Sequence, residues 1–223
     1  MLKNKIFNIL LLAMMPSLAS ATVVYSSWTS NDSQTGNYIL TINASGGFFN
    51  YNLTVNPWNA EALGLFIDLG AVTVGTPGSV ALTSVTPTGQ VSVFATDTSS
   101  DDCGNGCNLN GLTLPALVGG DWELVFGLGG AGFDGIQTFS WTTSNFGLTE
   151  SALGSVGIRS QVLCSGTDLL PGSQPTCEGS DKSYSSNGLH VGGGGLATIP
   201  EPATLALLGL GLLGIAVTRR RIV

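Results

Sequence analysis

The sequence predicts an all-β fold, an antiparallel β-sandwich of jelly-roll-like type, and three observations predict it. Composition is the first: 32 of 223 residues are Gly and only 9% are charged. Ser, Thr, Asn and Val abound between the two ends, while the Lys, Glu and Arg that favour surface helices are scarce. The second is alternation. Trp122, Leu124, Phe126 and Leu128 share one face with Glu123 opposite, and Val156, Ile158, Val162 and Cys164 oppose Arg159 and Gln161, as in half-buried strands. The third is punctuation by turn formers, Ser45-Gly46-Gly47, Pro57, Pro77-Gly78 and Pro87-Thr88-Gly89, which suits antiparallel sheets better than a parallel sheet with helices.

Taken in order, the chain opens with Lys3 and Lys5 before an apolar run over residues 6–15, followed by Ala19-Ser20-Ala21. That is a signal peptide over residues 1–21, with small residues Ala19 and Ala21 at the signal-peptidase site and a mature start at Thr22. Its apolar core is too short to span a bilayer comfortably, which argues against a retained helix. A β-rich extracytoplasmic domain over residues 22–190 follows, long enough for one sizeable core. Strands are expected at 23–29, 38–43, 48–55, 63–69, 80–85, 91–96, 122–128, 136–142 and 156–164, with a short helix as the alternative over 60–66. Residues 191–199, with glycines at 192–195, read as a linker.

Charge narrows the partners. Residues 22–199 hold two basic side chains, Arg159 and Lys182, against thirteen acids, a formal −11. A nucleic-acid or anionic-lipid surface needs clustered Lys and Arg, so neither partner is expected. The four cysteines form two local groups, Cys103 with Cys107 and Cys164 with Cys177. In an exported chain they are expected as disulfides, paired locally, because each bridge would pin a loop containing Gly or Pro. The spacing lacks the paired short intervals of a zinc ribbon.

No catalytic, cofactor-binding or metal-binding set is expected. The run Gly127-Leu128-Gly129-Gly130-Ala131-Gly132 matches G-x-G-x-x-G, but a strand-like segment follows it where a dinucleotide site needs a helix N-terminus. Gly209-Leu210-Gly211-Leu212-Leu213-Gly214 matches too, inside the apolar tail, where small residues suit a membrane helix. The one histidine, His190, lies beside the glycine linker, a poor place to orient a triad. Glu61, Asp68, Asp121, Glu123 and Glu150 are the carboxylates from which a glycosidase pair would have to come. Asp97, Asp101, Asp102 and Asn105 are oxygen ligands that calcium could use, outside any EF-hand spacing. Trp28, Trp58, Trp122 and Trp141 are candidates for core packing or for sugar stacking. Asn31, Asn43 and Asn52 begin N-x-Ser/Thr sequons, to which no role is assigned.

The C-terminal residues are the most specific feature. Pro200-Glu201-Pro202 precedes an uncharged run over 203–218 and then Arg219, Arg220 and Arg221. As a helix that run spans roughly 24 Å, a little short of a ~30 Å hydrocarbon core, and the snorkelling arginines make up part of the deficit. Arginines directly after the span hold that end in the cytoplasm and leave everything before Pro200 outside. These three parts in this order, paired with a signal peptide, resemble the PEP-CTERM sorting signal of Gram-negative bacteria. The resemblance covers residues 200–223. It implies a single transmembrane helix acting as a transient inner-membrane anchor, removed near Pro-Glu-Pro by a membrane-embedded exosortase. It also implies a cell-surface or extracellular-matrix protein in an exopolysaccharide context. On this reading the cargo is a structural or adhesive protein or one that binds glycan, with no molecular activity legible in its residues; the alternative is an envelope enzyme acting on polysaccharide.

Overall fold

The computed structural model describes residues 21–31, 34–130, 133–164, 177, 179–186 and 188–191. Ala19, the linker beyond Val191 and the whole tail, with its expected transmembrane helix, lie outside the described residues. Among the described residues fourteen strands run in chain order: β1 Ala21–Tyr25, β2 Thr29–Ser30, β3 Tyr38–Ser45, β4 Phe48–Val55, β5 Glu61–Ile67, β6 Thr83–Thr86, β7 Val91–Thr98, β8 Asp102–Gly104, β9 Cys107–Asn108, β10 Trp122–Leu128, β11 Thr138–Ser144, β12 Val156–Gln161, β13 Ser180–Ser185 and β14 Leu189–Val191. Among the described residues the only helical pieces are single 3-10 turns at Pro77–Ser79 and Glu150–Ala152. None of them is long and apolar enough to cross a membrane.

Two six-stranded antiparallel sheets carry the fold. The front sheet runs β14-β1-β3-β4-β11-β6 and the back sheet β2-β13-β12-β5-β10-β7. Their inner faces meet because the alternation puts Tyr38, Leu40 and Ile42 of β3 and Phe49, Tyr51, Leu53 and Val55 of β4 on one side, all buried. The back sheet answers with Leu65, Ile67, Leu124, Phe126, Val156 and Ile158. At the centre Tyr51 stacks on Trp141 at 4.9 Å, and Phe126 of the back sheet stands edge-on to both, at 5.6 and 5.0 Å. Such aromatic pairs add about 0.5–1.5 kcal/mol each beyond the area they bury.

The back sheet is also covered on its outer side. Residues 99–121, including the β8–β9 hairpin, fold over it and make a second small core of Phe66, Cys103, Cys107, Leu109, Trp122 and Val125. Burial on both faces explains why Glu-Ala-Leu-Gly-Leu-Phe-Ile does not alternate. The helix alternative over 60–66 is therefore corrected to a strand. Gly64 permits the cover: a Cβ there would lie 2.5 and 2.6 Å from the sulfurs of Cys107 and Cys103.

Several boundaries move. The expected strand 23–29 splits, since the chain leaves the front sheet after Tyr25 and enters the back sheet at Thr29. Strand 80–85 starts only at Thr83, because Val80 closes the Pro77–Ser79 turn. Strand 156–164 ends at Gln161, where Val162 takes a left-handed φ of +53° and turns the chain away. Strands β13 and β14 were not expected. His190 accordingly sits in β14, opposite Val23, and not in a linker.

Candidate functional site

The cover over the back sheet stops short and leaves an open groove of about 620 Å³. Strand β7 supplies one side: Ser92 and Phe94 face outward, and Phe94 is 44% exposed. The tip of the β8–β9 hairpin, with Asn105 and the Cys103–Cys107 bridge, abuts Phe94 at Gly104, and Leu63 of β5 and Gln161 of β12 also line the groove. Gly127 pairs with Ser92 in the ladder and keeps the floor open, a Cβ there being 3.0 Å from the Ser92 hydroxyl. The lining is the Ser92 hydroxyl, the Asn105 and Gln161 amides, glycine backbone, the disulfide, Leu63, Leu128 and one aromatic ring. Among the described residues it holds no Asp, Glu, Lys, Arg or His.

The glycine run that matches G-x-G-x-x-G ends this groove, and its geometry is that of a strand connection. Gly129 takes a φ of +69°, and a Cβ there would come within 2.2 Å of the Asp134 carboxylate. That carboxylate accepts from the amides of Gly130 at 3.1 Å and Ile136 at 2.9 Å. The loop's donors thus close on its own Asp134 and lead into β11. Ala131 and Gly132 lie outside the described residues.

The five carboxylates weighed for hydrolysis do not converge on the groove. Glu61 is 1% exposed and accepts from the Asp134 amide at 3.2 Å; burial, and then the neighbouring Asp134 charge, push its carboxyl up. Asp68 is buried and accepts from Gly70 and Val118 amides at 2.8 and 3.1 Å. Glu123, facing away from the groove, accepts from the Leu69 amide at 2.6 Å. Burial raises Glu123 to about 7, with Asp68 and Asp97 adding to it and the Leu69 bond opposing. The structure does bring Asp68, Asp97 and Glu123 together, but as staples: Asp97 accepts from the amides of Val74 and Gly75, so all three hold the β5–β6 connection. Asp121 is half-buried, and Glu150 lies in the second 3-10 turn.

This staple makes stability depend on pH. Glu123 in the folded state keeps, up to about pH 7, a proton that the unfolded chain gives up near the ordinary 4.5. Stability is therefore fullest below the unfolded value and falls as pH rises between the two. Glu123→Gln retains an acceptor for Leu69 and removes the titration. Thermal melts at pH 5 and 8 should show wild type losing several degrees and the variant losing fewer, with Glu61 supplying the remaining slope. An unchanged slope in the variant would refute the assignment.

The oxygen ligands considered for calcium are dispersed. Asp101 accepts from the Trp122 indole at 2.9 Å, Asp102 from the Gly104 amide at 2.8 Å, Asp97 serves Val74, and Asn105 forms the hairpin tip. Among the described residues no three His, Cys, Asp or Glu side chains are placed to share a metal ion. Both local disulfides are formed, Cys103–Cys107 with Cα atoms 5.0 Å apart and Cys164–Cys177 with 4.4 Å. Trp58, Trp122 and Trp141 are interior and Trp28 is half-buried against Tyr38, so the tryptophans build core and the sugar-stacking expectation does not attach to them. Ala21 and Thr22 belong to β1, pairing with Ala44 and Asn43. Asn43 and Asn52 lie on the outer face of the front sheet, and Asn31 follows β2.

The groove's own residues were missed. The signal was present in β7, where Ser92, Phe94 and Thr96 alternate with Val91, Val93 and Ala95: an aromatic on the polar side of a strand is one not needed by the core.

Residues 198–221 match the family model of the PEP-CTERM protein-sorting motif. The chain carries a PEP-CTERM sorting signal. The PEP-CTERM match takes in Pro200, Glu201, Pro202, the apolar run and Arg219, Arg220 and Arg221. It marks the protein as an exported substrate of exosortase processing. No curated protein and no solved structure matches the chain.

Proposed function

We propose that this exosortase-processed protein is a non-enzymatic glycan-binding component of the cell surface or extracellular matrix of a Gram-negative, exopolysaccharide-producing bacterium. A signal peptidase frees its N-terminus at Thr22, and the PEP-CTERM tail holds it transiently in the inner membrane as a short transmembrane helix until exosortase cuts. The sandwich, in which the chain changes sheets at most connections, is read as a jelly-roll-like host for a carbohydrate surface.

The groove carries this reading. An exposed Phe94 ring beside Ser92, Asn105 and Gln161 offers a stacking face and a fringe of donors and acceptors. With no titratable side chain lining it, the groove suits a neutral ligand held by stacking and hydrogen bonds, and offers no acid or base to the bond between sugars. The acidic remainder of the domain disfavours anionic polymers.

Affinity electrophoresis of the processed protein through gels containing neutral or anionic polysaccharide tests it. Retardation by a neutral polymer is expected, and Phe94→Ala should lower it, as for a lost aromatic anchor, with the melting temperature unchanged. Equal retardation of wild type and variant would count against the groove. The hydrolase alternative rests on Glu61, whose carboxyl is raised beside Asp134. Release of reducing sugar that Glu61→Gln abolishes would favour that alternative.

A further inference from the structure

The front sheet differs from the back in one respect that the groove does not explain. Its six strands contain no Asp, Glu, Lys or Arg, whereas the back sheet holds Glu61, Asp97, Glu123, Arg159, Asp181 and Lys182. Exposed sheet faces and edges are ordinarily kept soluble and unpaired by charge. Here a face about 24 Å across, at ~4.8 Å per strand, has none, in a domain of formal charge −11.

What it has instead is order. The register aligns Thr41, Asn52 and Ser140 in one row across β3, β4 and β11, and Asn43, Asn50 and Thr142 in the next. The second row is already linked: the Thr142 hydroxyl donates to the Asn50 Oδ1 at 2.9 Å, and the Asn43 side-chain amide donates to the Thr22 hydroxyl of β1 at 2.8 Å. Side chains fixed in this way lose less freedom when a ligand binds.

The chemistry selects the occupant. Nucleic acid, acidic polymers and lipid headgroups require cations that the face lacks. A protein partner requires an apolar, desolvated centre with a polar rim, and this face is arranged the other way round. Its centre is hydroxyl and amide, while the exposed apolar groups Ile39, Phe48, Leu189 and Val191 lie at its margins. A neutral polymer bearing many hydroxyls, each both donor and acceptor, matches the centre without burying a charge.

We propose that the outer face of the front sheet is a second binding surface, taking a neutral polysaccharide laid flat across β3, β4 and β11. Because the groove opens on the opposite side of the sandwich, the protein then bridges two polysaccharide chains. The bridging part rests on the groove reading; the face stands without it.

Sedimentation of the processed, full folded protein with microcrystalline cellulose and with dextran beads tests the face, with alginate beads as the anionic control. Thr41→Glu/Ser140→Glu and Thr41→Lys/Ser140→Lys place charges of either sign at solvent-facing positions, and melting temperatures verify that both variants fold. Wild type should sediment with at least one neutral polymer and clump dextran beads. In the Phe94→Ala background, where the groove no longer contributes, both charged pairs should lose about tenfold in sedimentation, and in the wild-type background they should abolish clumping; Phe94→Ala alone should still sediment and lose only clumping. Loss of all binding in Phe94→Ala overturns the face and leaves the groove. Normal clumping by Phe94→Ala, with loss in the charged variants, defeats the groove and leaves the face. Wild type that binds neither neutral polymer, charged pairs that in the Phe94→Ala background bind as Phe94→Ala alone, or a concentration-dependent dimer that the charged variants abolish, overturns the proposal.

Discussion

Deletion of residues 200–223 is expected to empty the membrane-bound pool of this protein and release it as an unprocessed soluble species. The tail has two separable physical parts. On the proposed reading its sixteen uncharged residues, 203–218, would supply the transfer energy that holds a helix in the bilayer, and Pro202 would suit the start of that helix, because the first-turn N–H has no helical partner. Arg219, Arg220 and Arg221 would hold the end in the cytoplasm, since carrying them across the hydrocarbon costs about 2.5–3.5 kcal/mol each on insertion scales. Replacing the three arginines with Gln should therefore leave the span apolar yet impair retention or processing, with precursor accumulating. Fractionation and intact mass read both variants. Wild-type protein whose intact mass still includes residues 200–223, together with unchanged fractionation of both variants, would remove the sorting reading and, with it, the export-dependent part of the proposed function.

How far the sequence reaches is visible in where its signals live. Strand β4 is read at both ends because its apolar alternation is bounded by turn formers; β10 also keeps its expected bounds, but Trp122 packs with Val125 in the outer core while Leu124, Phe126 and Leu128 face the inner one, so its expected single apolar face is corrected. Local disulfides follow from spacing alone, since Cys103 and Cys107 flank two glycines that take φ of +82° and +80° in the hairpin. The tail is legible because a membrane recognises composition and order along a line. Strand β5 is ambiguous for the opposite reason: its outer face is covered by residues 99–121, and nothing within seven residues announces a cover supplied from forty positions away. The groove is a property of where that cover ends, so it too has no linear signature beyond Phe94 on the polar side of β7. The charge-free face was likewise present in the strands' composition, but only the pairing of β1, β3, β4 and β11 makes it one surface.

Strand β13 is the sharpest failure of hydrophobic pattern, and it yields the largest stability prediction. Its inward positions are Asp181, Ser183 and Ser185, so the period-two signal is written in polar residues. Asp181 is completely buried and gathers donors from the chain that links β2 to β3. Its carboxyl accepts from Ser30 at 2.6 Å, the Gly36 amide at 3.0 Å, the Tyr38 hydroxyl at 3.0 Å and Thr35 at 3.1 Å, and from Ser183 of its own strand at 2.8 Å. The pattern is apolar almost everywhere else in the sandwich because water is excluded there; here one acceptor replaces water for a whole set of donors. Asp181→Ala removes the acceptor and leaves the Gly36 amide and the Tyr38 hydroxyl buried with a partner lost. At about 1–3 kcal/mol for each such group, the expected cost is about 3–5 kcal/mol, or roughly 6–20 °C in melting temperature for a domain of this size. Asp181→Asn keeps an acceptor but turns an NH₂ toward donors, and should fall between the two. The order wild type, Asn, Ala in calorimetric melts would establish Asp181 as the bolt that fastens the β2–β3 segment to the back sheet. An Ala variant melting within a degree or two of wild type would mean that these donors find other acceptors, and that the strand is held by its ladder bonds to β12 and β2.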